Sequence, residues 1–165
     1  MNEKAKYIEE ARLKYDSYDD CEWIKAGFDD NSGGYCVYHK RHNFTETGGG
    51  GEAEKKVGKL LAKLGKQVEF LPEGWKKSPD INFDGQTWDI KYIDNANEQT
   101  IRNHIKDGRK ADNVLFYFTP DDYKNILIDN AIKREVGRFL KRQIYKLPNI
   151  YVIDEINFLK MLWKK

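Results

Sequence analysis

Residues 79–93, PDINFDGQTWDIKYI, decide how this chain reads. Asp84-Gly85 is the preferred pair for a two-residue type I′ reversal, because both central positions need positive φ. On either side apolar and polar residues alternate, the period of a half-buried strand. A tight turn fixes register: with Phe83 facing Gln86, Ile81 falls opposite Trp88 and Asp80 opposite Asp89. Ile81, Phe83, Trp88, Ile90 and Tyr92 then line one surface, and Asp80, Asn82, Asp89 and Lys91 line the other. The expectation is one face in the core and one face for chemistry.

Two carboxylates opposed across a hairpin have Cβ atoms roughly 4.5–5.5 Å apart and repel each other. A cation between them relieves the repulsion. Mg²⁺ or Mn²⁺ suits the position, since hard divalent ions take oxygen ligands and keep waters that a substrate can replace. Lys91, two residues past Asp89, points the same way. Its ammonium can hold an attacking water or offset negative charge that grows in a transition state. Together these are the parts of hydrolytic phosphodiester cleavage.

Outward from the hairpin, EAEKKVGKLLAKLGK (52–66) reads as a helix with Val57, Leu60, Leu61 and Leu64 as its apolar stripe and Gly65 as its stop. Glu54 shares that inward face and Glu52 turns away. The glycine run Gly48–Gly51 before it reads as a flexible connection. A strand at 67–71 precedes the hairpin. A helix (98–109), a strand (113–119), a long helix (121–146) and a final strand (150–153) follow. Residues 1–47 read as an N-terminal extension, a helix and then an antiparallel strand pair joined through DDNSGG, ahead of a core at 48–165. The fold class is α/β (α+β), with a mixed central sheet flanked by helices.

Composition narrows the class without naming a partner. Basic and acidic residues number 29 and 27, a net charge of +2, so any polyanion site must be local. No run approaches the ~18 apolar residues of a membrane span, and the N-terminus lacks a signal-peptide centre, so a soluble, cytoplasmic protein is expected. Cys21 and Cys36 match no zinc or redox spacing and are read as reduced thiols.

Pro79-Asp80 followed by Asp89-Ile90-Lys91, within an order of helix, strand, hairpin, helix and strand, resembles the PD-(D/E)XK nuclease superfamily. The resemblance covers about half the chain. It implies a restriction-endonuclease-like core and a Mg²⁺- or Mn²⁺-dependent endonuclease in which a helical glutamate completes the metal site. Glu54 is chosen for that role over Glu52, with Glu69 as the alternate. The wider stretch is also similar to toxin domains at the C-termini of contact-dependent inhibition and phage head-morphogenesis proteins. That likeness implies a nucleic acid substrate (DNA or tRNA), delivery into a target-cell cytoplasm and a cognate immunity protein.

Two other readings stay open. One is a metal-independent barnase- or colicin-like ribonuclease using His39, His42, His104, Thr100 and Lys91. The other is a nucleic-acid- or partner-binding module without turnover. Gln99, His104 and His42 are candidates for supporting or phosphate contacts. Trp75, in a loop beside the site, is a candidate base-stacking residue. Arg134 and Arg138 belong to a basic stripe on the long helix, which serves equally as a solvated face or a phosphate contact. For Asp80, Asp89 and Lys91 the plain alternative is a charged hairpin surface.

Overall fold

A computed structural model describes residues 2–44, 50–74, 78–93, 97–118, 125–142, 146–154 and 158–165, with the backbone alone at 125–127, 154 and 158. It is a mixed α/β fold, as expected, and it divides into two compact units, Met1–Thr87 and Trp88–Lys165.

The first unit runs α1 (Glu3–Asp16), β1 (Trp23–Phe28), β2 (Tyr35–His39), α2 (Gly50–Lys63), β3 (Gln67–Phe70) and β4 (Ile81–Phe83). Asn2 starts α1 by accepting a hydrogen bond from the Ala5 N–H at 2.7 Å, which satisfies one of the helix's orphan donors. β2 lies antiparallel to β1 and parallel to β3, and β3 is antiparallel to β4. Strand alternation sends Tyr35 and Val37 to one face, where they pack with Tyr15 of α1. Cys36 and Phe70 face α2 so closely that a Cβ on Gly58 would stand 2.8 Å from the Cys36 sulfur.

α2 ends as the sequence indicates, with Gly65 at φ +82°. Its start differs, because Gly50 and Gly51 are its first residues rather than part of a connection. The first turn has no intrahelical N–H bonds to lose, and Gly51 is buried, so close packing offsets its entropy cost. The reversal after β4 is as read from sequence: Asp84 and Gly85 have φ of 53° and 71°, the positive pair of a type I′ turn.

The second unit is built on β5 (Gln86–Ile93), whose first two residues precede the unit boundary. α3 (Glu98–Asp107), a 3-10 turn (Gly108–Lys110), β6 (Asn113–Phe118), α4 (Asn125–Lys141), β7 (Asn149–Asp154) and β8 (Phe158–Trp163) follow. β5, β6 and β7 are parallel, and β8 pairs antiparallel with β7. Ile93, Val114, Phe116 and Phe118 pack against Ile101 and Ile105 of α3 and Ile132, Val136 and Phe139 of α4. Burying each such side chain stabilises by about 1.5–3 kcal/mol relative to exposure.

Two expectations need correction here. β8 was not foreseen. The hairpin was read as having one core face and one face for chemistry, and the latter also enters the core, since Ile93 shares the Asp89 and Lys91 side of β5 and is fully buried. Trp88, on the other side, packs its ring 4.7 Å from that of Tyr151. A strand paired in parallel and covered by helices is buried on both faces, which alternation alone does not reveal.

Candidate active site

Asp89 is the centre of the second unit's polar chemistry. Its register partner on β6 is Val114, and the side chain is 0% exposed. An isolated carboxylate so placed would cost several kcal/mol. Two ammoniums compensate it: Lys91 Nζ lies 2.8 Å from Oδ2 and Lys110 Nζ lies 3.0 Å from Oδ1. These are ion pairs rather than aligned hydrogen bonds. The lysines are 16% and 23% exposed, so the cluster is reached through them.

Lys110 was missed from sequence. It arrives from the 3-10 turn that closes α3, where Gly108 is buried against β6. A Cβ on Gly108 would fall 2.0 Å from Val114 Cγ2. Only glycine admits that approach, which brings Lys110 beside the strand that carries Asp89's partner. The only signal in the sequence was the turn composition DGRKAD.

In the first unit, Glu54 of α2 turns inward, with its side chain 14% exposed, whereas Glu52 is 79% exposed. Its neighbour is His42, 1% exposed, whose Nε2 stands 3.6 Å from Glu54 Oε1. The His42 Nδ1–H donates to the Leu71 carbonyl at 2.7 Å; a carbonyl only accepts, which fixes the proton on that nitrogen. Phe44 and Phe70 enclose the ring, at centroid distances of 4.7 and 5.2 Å. Burial pushes the His42 pKa down, but the neighbouring Glu54 carboxylate, the hydrogen bond to Leu71 and the charge of Asp80 outweigh it, so the net direction is upward. Glu54, His42 and Asp80 thus form one electrostatic group.

The remaining candidates lie elsewhere. Glu69 alternates with Phe70 on β3 and faces Tyr18 and Tyr35. Burial raises the Tyr18 hydroxyl pKa, and its bond to Tyr35 and the Glu69 carboxylate raise it further. Glu69 is therefore separated by the strand from His42 and Glu54. Gln99 bonds Asn103 at 3.0 Å along α3, and His104 packs 6.2 Å from the Phe116 ring. Arg134 and Arg138 bond Glu98 at 3.0 and 2.9 Å, and Arg138 also bonds Glu135 at 2.6 Å. Arg102 reaches the same buried Glu135 at 3.0 Å, so this stripe is spent largely on clasping α3 to α4. His39 stacks edge-on against Trp23 at 4.9 Å. Trp75 lies outside the described residues. Among the described residues no group of three or more His, Cys, Asp and Glu side chains is arranged to hold a metal ion. No described helix is long and apolar enough to cross a membrane.

No curated protein matches the chain. Among solved structures it is similar to a CdiA-CT/CdiI toxin and immunity complex from Burkholderia pseudomallei, at 22% identity and a TM-score of 0.49, over 67% of this chain and 82% of that one. The sequence model of the contact-dependent growth inhibition CdiA C-terminal domain matches residues 76–157. That span holds Asp80, Asp89, Lys91 and Lys110, while Glu54 and His42 precede it. Residues 76–157, just under half of the chain, are thus similar to the CdiA C-terminal domain family.

Proposed function

We propose that this chain is a toxin domain of contact-dependent inhibition that cleaves nucleic acid, with Asp89, Lys91 and Lys110 at its chemical centre and the PD-(D/E)XK pattern as its plan. The observation that carries the reading is the fully buried Asp89 carboxylate gripped by two partly exposed ammoniums. Polyanion chemistry needs cationic groups held in fixed positions, and the two lysines are held so. Lys91 donates to the attacking water or a phosphate oxygen as charge develops there. Lys110 keeps Asp89 compensated when Lys91 turns to substrate.

Glu54, Asp80 and Asp89 are the carboxylates proposed for Mg²⁺ or Mn²⁺. All three offer the hard oxygens that such an ion takes, and Mg²⁺ is commonly held by one or two carboxylates, with water and substrate phosphate completing its shell. When bound, such an ion acts as a Lewis acid and lowers the pKa of its water. His42 orients Glu54 from behind, as partners of metal-binding carboxylates do. A toxin of this kind requires a cognate immunity protein in the cell that makes it, and the domain acts after delivery into a target-cell cytoplasm.

The test is incubation of the full chain with plasmid DNA and with tRNA, each with Mg²⁺ and with EDTA. Cleavage that depends on the ion supports the proposal. Cleavage that survives the chelator would favour the barnase-like ribonuclease, and binding without cleavage would favour a non-catalytic module.

A further inference from the structure

The first unit has an open pocket of about 230 Å³ lined by Gly27, Phe28, Asp29, Cys36, Lys59 and Lys63, among others; the Asp29 carboxylate is taken up by the backbone N–H groups of Asn31 and Ser32, each at 2.9 Å. Its floor is apolar, since Cys36 is 3% exposed and free. Lys59 and Lys63, one helical turn apart on α2 and both exposed, flank it with positive charge. Lys59 leans over the floor closely enough to pull down the Cys36 thiol pKa, which burial has raised.

We infer that this pocket and the outer edge of β1 form a docking groove for an extended segment of a partner protein, with an apolar side chain entering the pocket and carboxylates meeting Lys59 and Lys63. Size argues for a side chain rather than a small-molecule ligand, because ligand pockets run to about 300–1,000 Å³. Edge geometry supports a strand. Among the described strands β1 pairs with β2 alone, so its outer backbone groups are open to a further strand. Ile24 on β1 is 50% exposed, which extends the apolar surface along that edge.

Charge selects the occupant. A second copy of the chain would bring its own Lys59 and Lys63 against the same residues, and like charges so opposed repel. A segment with carboxylates on either side of an apolar residue is attracted where a second copy is repelled. This proposal stands apart from the chemistry at Asp89, so each can fail alone.

The probe is a capped pentapeptide, EVFVE, whose phenylalanine and two glutamates share one face when extended. It is titrated into the ¹⁵N-labelled full chain. The expected result is saturable shifts at the amides of Ala26, Gly27, Phe28, Lys59 and Lys63, with KVFVK at least tenfold weaker. Gly27→Leu supplies the control: a Cβ there meets nothing within 4 Å and its φ is not in the left-handed region, so the chain should fold while the new side chain fills the pocket and abolishes the shifts. Absence of shifts at these residues, equal binding of KVFVK, or undiminished binding by a folded Gly27→Leu variant would overturn the inference.

Discussion

Removing Lys91 and Lys110 one at a time and then together should cost far more in the pair than in the sum. Their ammoniums lie 2.8 and 3.0 Å from a carboxylate that is 0% exposed. At an effective dielectric of about 20, each contact carries roughly 5.5–6 kcal/mol of bare attraction, much of it offset by desolvation. Lys91→Ala or Lys110→Ala leaves one cation on Asp89, so each should cost about 1–3 kcal/mol. The double variant leaves a buried charge uncompensated, which adds about 3–5 kcal/mol on top of the two single losses. Urea unfolding of the four proteins gives the coupling energy directly. Adding Asp89→Asn to the double variant should recover stability, because the stranded charge is gone. If the single losses sum to the double loss within about 0.5 kcal/mol, the lysines do not share Asp89 and the reasoning fails.

Gly108→Ala should destabilise by about 1–3 kcal/mol, since its Cβ would fall 2.0 Å from Val114 Cγ2; thermal unfolding measures it, and Val114→Ala should restore part of the loss. Thiol titration of the native protein should label Cys21, which is exposed, and spare Cys36, whose pKa burial pushes up to about 12 against the pull of Lys59; both should react in denaturant. His42 has a raised pKa in the folded state, so its contribution is complete below the unfolded value of about 6.5 and disappears as pH rises through the folded one. The stability difference between wild type and His42→Gln should therefore shrink on going from pH 6 to alkaline pH, and a difference that grew instead would reverse the assigned sign.

What the sequence made legible were features set by local chemistry. Asp84-Gly85 specified its turn because few residues tolerate two successive positive φ values. Helical periodicity separated an inward Glu54 from an outward Glu52. What stayed hidden depends on tertiary approach. Lys110 reaches Asp89 across 21 positions of sequence only because a 3-10 turn packs on β6 through Gly108. Asp89 looked like half of an exposed polar face because alternation reports which residues share a side, and not whether helices cover it. β8, Phe158–Trp163, interrupts a nearly continuous apolar run with Lys160, which bonds Asp129 at 2.6 Å. Such a run has no strand period to read.

The central claim is that the Asp89 cluster performs cleavage, and the rate on whichever of plasmid DNA or tRNA the wild-type chain cuts tests it most directly. Asp89→Asn and Lys91→Ala, each confirmed folded by circular dichroism, should lower that rate by about a hundredfold or more. Folded variants that cut at the wild-type rate would contradict the account.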